Sequence, residues 1–257
     1  MAELKPVTVI TGASAGIGSA LAEVFAERGH EIVLIARRAP QLKTLADRIA
    51  ETGRKRPHVM VVDLARSDAT VRIADELRQA GLEPEFMVNN AGYGLLGPAA
   101  KLDRGEQLAM IDLNMRTTTD LSLRFMETLI RRKGGILNVA SVAGFFPGPG
   151  MAVYHATKAY LLSFSEALHH EMRGRVRVTA LCPGPVDTEF QARAGVPKGY
   201  FPNLLSRSAE RVAREGYEGL MSGKRVVVPG SANKVLVFLP RILPRSWALA
   251  LSKGGKA

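Results

Sequence analysis

Residues 11–18 read Thr-Gly-Ala-Ser-Ala-Gly-Ile-Gly, and they join a short apolar run to an amphipathic segment at 17–28. Gly12 permits a tight turn, Gly16 lets the backbone approach a ligand, and Gly18 lets the new helix pack closely on the preceding strand. The amino end of that helix offers unpaired N–H groups and the positive end of a dipole. This strand–loop–helix pattern, with the spacing Gly-x3-Gly-x-Gly, predicts a site for the pyrophosphate of a nucleotide.

Short apolar runs alternate with longer amphipathic segments along the chain, which is typical of a parallel sheet covered by helices. We predict strands at 7–11, 31–36, 58–62, 85–88, 135–140, 177–182 and 225–228. We predict helices at 17–28, 41–51, 68–80, 104–132, 152–173 and 208–222. The strands are apolar almost throughout, as burial on both faces requires. The sequence therefore predicts an α/β fold: one Rossmann-like, doubly wound parallel sheet of about seven strands, in a single domain over 1–257.

Composition narrows the possible classes of protein. The chain has 257 residues, of which 46% are hydrophobic and 23% charged, as in a soluble globular domain. Lys and Arg outnumber Asp and Glu by 35 to 24, and a net charge of +11 favours a polyanionic ligand, an anionic membrane surface or nucleic acid. The charge is spread rather than striped, and zinc-finger and RNA-binding patterns are absent. We therefore expect solvated basic faces and no nucleic-acid partner.

The cysteine and histidine content argues against disulfides and metals. Cys182 is the single cysteine and cannot form an internal disulfide, and the five histidines show no zinc-site spacing. We expect no metal. The sequence shows neither a secretory signal nor an apolar run of membrane-spanning length, which predicts a cytoplasmic protein.

Two segments interrupt the alternation. Residues 184–207 are rich in Gly, Pro and Arg and are longer than a usual connection, which predicts a lid over a functional site. The basic, apolar segment 234–257 is cut by Pro240 and Pro244. We predict that it caps the core or an oligomer interface; the alternative is peripheral membrane contact through 234–251, because basic residues beside apolar ones suit a headgroup boundary.

The end of the second predicted strand carries two cations. Ala36 is followed by Arg37 and Arg38, at the position where an NAD site usually has an acid. Arginine suits a 2′-phosphate, which it binds through bidentate charge-assisted hydrogen bonds. The sequence therefore favours NADP(H) over NAD(H), and the alternative is a solvent-facing basic turn.

Tyr154 and Lys158 lie one helical turn apart, after Ser141 at the end of an apolar strand. An ammonium on the same helix face as a phenol favours the phenolate, so we expect Lys158 to lower the pKa of Tyr154. Ser141 is placed to orient an oxygen of the same substrate. These three residues predict proton transfer to and from a carbonyl or hydroxyl oxygen.

Taken together, these motifs resemble the short-chain dehydrogenase/reductase family over residues 7–230. The resemblance rests on the glycine loop, the Asn-Asn-Ala-Gly stretch at 89–92, Asn114, Ser141, Tyr154 with Lys158, and the Pro-Gly pair at 183–184. It implies Tyr154 as general acid and base, Lys158 on the nicotinamide ribose, Ser141 on the substrate oxygen, and Asn114 holding a water that links the lysine to solvent. The alternative is that Asn114 only forms hydrogen bonds with nearby backbone groups.

The resemblance also implies the residues that hold the cofactor. Adenine would contact Asp63 and Leu64, the ribose side would be lined by Asn90, Ala91 and Gly92, and nicotinamide would be held by Pro183, Gly184, Val186 and Thr188. The loop itself would contribute Gly12, Ser14, Gly16, Ile17 and Gly18. Ala15 stands where many NADP-using relatives carry a basic residue, which leaves the phosphate to Arg37 and Arg38. Two of these residues have an alternative role that involves no cofactor: Asp63 would cap a turn, and Thr188 would be an ordinary loop residue.

The resulting hypothesis is an NADP(H)-dependent oxidoreductase that interconverts a carbonyl and a secondary alcohol, as a homodimer or homotetramer. An apolar substrate is predicted because Tyr93, Phe145, Phe146, Met151 and Phe190 lie near the motif positions, although all of them suit core or lid packing equally. The alternative is an NADP(H)-sensing binding protein without turnover, because a fold does not determine a function.

Overall fold

A computed structural model describes residues 4–197 and 199–242 of the chain. Its strands are Lys5–Thr11 (β1), Ile32–Ala36 (β2), His58–Val61 (β3), Leu82–Asn89 (β4), Gly135–Val139 (β5), Arg177–Leu181 (β6) and Val226–Val227 (β7). They form one parallel sheet in the order β3-β2-β1-β4-β5-β6-β7. The seven predicted strands and the doubly wound, Rossmann-like α/β fold are confirmed.

Helices pack on both faces of this sheet. They are Gly16–Glu27 (α1), Ala39–Glu51 (α2), Ala69–Gln79 (α3), Arg104–Ile111 (α4), Thr118–Arg124 (α5), Met126–Arg132 (α6), Ala152–Glu171 (α7), Glu189–Ala194 (α8), Ala209–Met221 (α9) and Ser231–Ile242 (α10). The predicted helices that became α1, α2, α3, α7 and α9 begin and end within two residues of their predicted limits.

The core lies on both sides of the sheet because adjacent strand residues point to opposite faces. In β2, Val33 and Ile35 belong to one buried cluster, while Leu34 between them belongs to the other. In β1, Val9 and Ile10 divide in the same way. This double burial explains why the strands are apolar at nearly every position.

β1 lies between β2 and β4, so the chain leaves β1 in one direction and returns to its other side after β3. In open α/β sheets, a crevice forms beyond the carboxyl ends of the strands where the order reverses in this way. The glycine loop after β1 and the Asn-Asn-Ala-Gly stretch after β4 therefore meet at one edge of the sheet.

The prediction of one continuous helix over 104–132 was wrong. The structure has α4, a π-helical turn at Asp112–Thr117, then α5, and α6 after a break at Phe125. A π-helical turn accommodates an extra residue within a helix and is frequent at functional sites. Here it places the side chain of Asn114 inward, where it is 1% exposed.

Both irregular segments contain more regular structure than the sequence indicated. Within 184–207, the structure has α8, a 3₁₀ turn at Asn203–Leu205 and a bridge between Val186 and Arg207. α10 runs through Pro240, where the sequence predicted a break in the segment. A proline removes one backbone donor, and this one lies in the last turn, where few helical bonds depend on it. Residues 243–257 of the predicted C-terminal segment lie outside the described residues.

Candidate active site

The glycine loop is tied to the loop after β4 by hydrogen bonds from Asn90. Its Nδ2 donates to the carbonyl oxygens of Thr11 and Gly12, at 2.9 and 3.2 Å. In return, Thr11 Oγ1 accepts from the backbone N–H groups of Asn90 and Ala91, at 3.0 and 3.1 Å. These bonds hold the two loops together at the crevice.

Glycine is required in the loop because the backbone leaves no room for a side chain. Gly12 and Gly16 have φ angles of +66° and +58°, which L side chains rarely adopt. A Cβ at Gly18 would overlap the carbonyl oxygen of Gly12, and a Cβ at Gly12 would lie 2.8 Å from Asn90 Nδ2. The start of α1 therefore lies as close to the end of β1 as the sequence analysis predicted.

Arg38 joins the glycine loop to the segment 184–207. Its Nε and Nη2 donate to Ser14 Oγ at 3.2 and 3.1 Å, and its Nη1 forms an ion pair with Glu189 Oε2 at 2.7 Å. Arg37 is exposed at the rim of the same crevice. Both predicted phosphate-binding cations thus lie beside the loop, at the end of β2.

Ser141, Tyr154 and Lys158 come together in a buried cluster. Their exposed fractions are 8%, 9% and 5%. Ser141 Oγ accepts from the N–H of Ala143 at 3.1 Å and is hydrogen-bonded to the Tyr154 side chain. Lys158 Nζ donates to the carbonyl oxygen of Val139 at 2.8 Å, which anchors it to the end of β5.

The pKa of Tyr154 moves in the direction opposite to the sequence-based expectation. Burial raises it to about 12, and the hydrogen bond with Ser141 only partly offsets this. Burial also lowers the pKa of Lys158 to about 8. The Lys158 ammonium lies 5.8 Å from the centre of the Tyr154 ring and is bonded elsewhere, so the loss of hydration outweighs its attraction for a phenolate.

Asn114 uses both ends of its amide to hold the segment after β4. Its Nδ2 donates to the carbonyl oxygen of Tyr93 at 2.9 Å and to Thr157 Oγ1 at 3.1 Å. Its Oδ1 accepts from the N–H of Tyr93 at 3.2 Å. Thr157 in turn donates to the carbonyl oxygen of Tyr154 at 2.8 Å. These contacts match the alternative in which Asn114 satisfies local backbone groups, and its part in a water relay stays a prediction.

A cavity of about 870 Å³ brings the predicted residues together. All predicted site residues line it except Gly18, which lies behind the loop, and Asn114, which supports it. On the side predicted for adenine, Asp63 Oδ1 accepts from the N–H of Ala65 at 3.1 Å, while Asp63 and Leu64 face the cavity. Asp63 therefore caps its turn and lines the site at once.

The side predicted for nicotinamide is built from the segment after β6. The carbonyl oxygen of Pro183 accepts from the N–H of Val142 at 3.0 Å, which ties it to the strand end that carries Ser141. The methyl group of Thr188 lies 3.0 Å from the point where a Cβ on Gly16 would stand. The start of α8 is thus seated directly on the glycine loop.

Much of the remaining wall of the cavity is apolar. Of the aromatic and Met residues considered from the sequence, Phe145 packs instead in a core cluster with Leu161. The side chains of this wall are those of Tyr93, Phe146, Met151, Phe190, Val196, Tyr200, Phe201, Leu205 and Leu236. They surround the space beside the Tyr154 ring, which lies 5.5 Å from the Phe190 ring centre to centre.

Sequence reasoning missed three residues of this site. Arg193 lines the cavity with its guanidinium 4.3 Å from the centre of the Tyr93 ring, and burial lowers its pKa. Asn233 is fully buried and packs against Gly184. Glu189 forms an ion pair with Arg38, which lies 151 positions earlier in the chain. No local motif marks these residues, because only the folded chain brings them to the site.

The cavity fits a nicotinamide dinucleotide. The glycine loop borders it at the amino end of α1, where backbone N–H groups suit a pyrophosphate. Cations and Ser14 lie at the end of β2, and the buried Ser141, Tyr154 and Lys158 lie at the other end. Among the described residues, no group of His, Cys, Asp and Glu is arranged to hold a metal ion.

Comparison with known proteins agrees with this geometry. The family model for short chain dehydrogenases matches residues 6–197. The chain belongs to the short-chain dehydrogenase family. Sulfoacetaldehyde reductase 2 of Chromohalobacter salexigens is 37% identical to this dehydrogenase over 191 residues, which are 73% of this chain and 75% of the relative.

Two solved structures resemble this short-chain dehydrogenase along nearly its whole length. One is a short-chain dehydrogenase from Sphingobium yanoikuyae in complex with NADPH, with a TM-score of 0.80 and 29% identity, covering 93% of this chain and 96% of the other. The other is a 7beta-hydroxysteroid dehydrogenase, with a TM-score of 0.86 and 26% identity, covering 98% of both chains. This dehydrogenase is accordingly a carbonyl/alcohol oxidoreductase with a nucleotide-binding Rossmann-like fold.

Proposed function

We propose that the protein is an NADP(H)-dependent oxidoreductase that interconverts a carbonyl and a secondary alcohol through Tyr154. The observation that carries this proposal is the buried cluster of Ser141, Tyr154 and Lys158 at the wall of a cavity that fits a dinucleotide. When bound, the nicotinamide supplies or accepts the hydride. The residues of the chain handle the proton and the charge on the substrate oxygen.

Tyr154 acts as the general acid in the direction of reduction. Its pKa of about 12 keeps the phenol protonated at neutral pH, so that it has a proton to donate to a carbonyl oxygen. Ser141 donates a second hydrogen bond to the same oxygen. In a buried site, donors placed where negative charge develops stabilise the transition state strongly.

Lys158 acts once the proton has left Tyr154. With a pKa of about 8, the ammonium is mostly charged at neutral pH, and it lies on the ring face of the tyrosine. A charged neighbour favours the phenolate, so in alcohol oxidation it increases the fraction of Tyr154 that is ready to accept the alcohol's proton. Asn114 positions this machinery through Thr157, whose hydroxyl is bonded to the Tyr154 carbonyl oxygen.

A preference for NADP(H) over NAD(H) is supported by the charges at the end of β2. Arg37, Arg38 and Ser14 line the cavity there, and a guanidinium binds a phosphate ester with bidentate hydrogen bonds. The test is a fluorescence titration of Arg38→Ala with NADPH and NADH. We expect at least tenfold weaker NADPH binding and little change for NADH; equal weakening of both would contradict the preference.

An apolar carbonyl compound or alcohol is the proposed substrate class. Beside Tyr154 the wall carries aromatic and aliphatic side chains, among them Met151 and Phe190, together with His155. Part of this wall, including Tyr200, Leu205 and Leu236, lies beyond the match to the family model, which ends at residue 197. The substrate is therefore determined partly by the segment 184–207, which we propose is a lid, and by α10.

A homodimer or homotetramer in the cytoplasm is also proposed. Leu108 on α4 and Leu123 on α5 are 48% and 55% exposed, as expected if these helices pack against another copy. Among the described residues, no helix is long and apolar enough to cross a bilayer. Light scattering would measure the assembly, and a monomer at micromolar concentration would contradict it.

Peripheral membrane contact is proposed for the exposed face of α10. Val235 and Phe238 are 61% and 57% exposed, and no Asp or Glu occurs after Glu218 in the sequence, whereas seven Lys and Arg do. Exposed apolar side chains in a stretch of sequence rich in cations suit an anionic headgroup region. Phe238→Ser should reduce sedimentation with anionic vesicles, and Val71→Ser on α3 is the control; no binding by the unaltered protein would contradict the proposal.

The central test is Tyr154→Phe, assayed by nicotinamide absorbance with a panel of ketones and secondary alcohols. We expect turnover to fall by at least 100-fold, because the variant has no proton to donate. NADPH binding should remain close to that of the unaltered protein, since the ring is retained. Full activity in this variant would refute the mechanism. NADPH binding without turnover of any substrate by the unaltered protein would favour the nucleotide-sensing alternative.

A further inference from the structure

The guanidinium of Arg38 is held by two residues, Ser14 and Glu189. Two nitrogens donate to Ser14 Oγ, and Nη1 forms a 2.7 Å ion pair with Glu189 Oε2. Glu189 is the first residue of α8, on the lid, and both partners line the cavity. A carboxylate of the lid therefore holds the same arginine that the proposed function assigns to the 2′-phosphate.

The Arg38–Glu189 ion pair is exposed enough for another anion to replace Glu189, and it contributes little to the stability of the fold. Its side chains are 40% and 65% exposed, and ion pairs this open to water contribute little to stability. A phosphate ester carries more charge than a carboxylate and presents more oxygens to the fork of an arginine. An incoming 2′-phosphate can thus displace Glu189, and the cost of that displacement falls on cofactors that carry the phosphate.

Glu189 is the carboxylate that pairs with Arg38 on this part of the cavity wall. The other charged groups near Arg38 on the cavity wall are cationic, namely Arg37 and Arg193, and they influence each other electrostatically. The remaining carboxylate on that wall, Asp63, is bonded to the N–H of Ala65 within its own turn. Removing the charge of Glu189 would leave a cluster of cations facing the phosphate position.

We propose that Glu189 is a cofactor-specificity residue, which competes with the 2′-phosphate of NADP(H) for Arg38 and so weakens NADP(H) binding while leaving NAD(H) binding unchanged. This inference rests on the proposed function of Arg38. Because Thr188, the preceding residue, is seated on Gly16, displacement of Glu189 also releases one of the contacts that hold α8 against the glycine loop. Arrival of the phosphate is in this way coupled to the lid.

The experiment measures dissociation constants for NADPH and NADH by fluorescence titration. Glu189→Gln keeps the size of the side chain and removes its charge. We expect it to bind NADPH about fivefold more tightly, which corresponds to an exposed ion pair of about 1 kcal/mol. Its affinity for NADH should stay within about twofold of the unaltered protein on the same scale.

Two controls separate this mechanism from general effects of charge. Glu27→Gln removes a comparably exposed carboxylate from its ion pair with Arg214, away from the cavity, and should change neither constant. In an Arg38→Ala background, Glu189→Gln should no longer improve NADPH binding, because the contested partner is gone.

Unchanged or weaker NADPH binding by Glu189→Gln would overturn the inference, as would an equal gain for NADH. The proposed NADP(H) preference fails by a different result, namely equal affinity of the unaltered protein for both nucleotides. A selective gain for NADPH on Glu189→Gln would support the competition even then, because it compares each nucleotide with itself.

Discussion

Buried Lys158 should make the stability of the protein depend on pH in a direction that can be calculated. Burial lowers its pKa from 10.5 to about 8, which is worth about 3 kcal/mol between the charged and neutral forms. The folded pKa lies below the unfolded one, so the contribution of Lys158 is fully present above pH 10.5. It is lost as the pH falls from 10.5 through 8, because over this range the unfolded chain takes up the proton before the buried amine does.

The test is Lys158→Met, which keeps the length of the side chain and cannot be charged. We expect the free energy of unfolding of the unaltered protein, minus that of the variant, to rise by roughly 2 kcal/mol between pH 7 and pH 10, the part of the total that titrates in this range. Urea denaturation at intervals of half a pH unit, without cofactor, measures this difference. The lost bond to the Val139 carbonyl oxygen adds an offset that does not depend on pH.

Lys43→Met serves as the matched control, because Lys43 lies exposed on α2. Its stability difference should stay constant over the same range. A Lys158 difference that is flat, or that falls with pH, would refute the conclusion that burial dominates the electrostatics of this site. The Tyr154 titration lies near pH 12 and should contribute little below pH 10.

Three further outcomes are expected. Ser141→Ala should lower kcat by about 100-fold with NADPH affinity retained, because an oxyanion donor is lost; steady-state kinetics measures this, and an unchanged kcat would exclude the role. Gly92→Ala should destabilise the protein by about 1 to 3 kcal/mol, because the new Cβ would lie 2.8 Å from Asn114 Oδ1; a thermal melt like that of the unaltered protein would show that the site adapts. Glu83→Ala should cost about 3 kcal/mol in urea unfolding, since Glu83 is 8% exposed and forms ion pairs with both Arg131 and Arg132; a loss below about 1 kcal/mol would show that water replaces these contacts.

Local pattern was sufficient for the sheet and for most residues around the cavity. Strand runs such as β2 are apolar because both faces are buried, and that burial is visible in composition alone. Gly12 has a φ angle of +66° and Gly18 lies against the carbonyl oxygen of Gly12, so local backbone geometry requires both glycines and their spacing predicted the loop correctly. The predicted helix that carries Tyr154 and Lys158 was also confirmed, because its pattern of apolar and polar residues is local.

Properties that depend on distant neighbours could not be obtained in that way. The one-turn spacing of Tyr154 and Lys158 predicted a lowered phenol pKa, whereas the folded chain removes water from both groups and raises it. The π-helical turn places Asn114 so that its side chain donates a hydrogen bond to the backbone carbonyl oxygen of Tyr93, 21 positions away. The ion pair of Arg38 with Glu189 joins residues that lie 151 positions apart in the chain. Loss of hydration and long-range contacts arise only when the chain folds, so they leave no periodicity in the sequence to read.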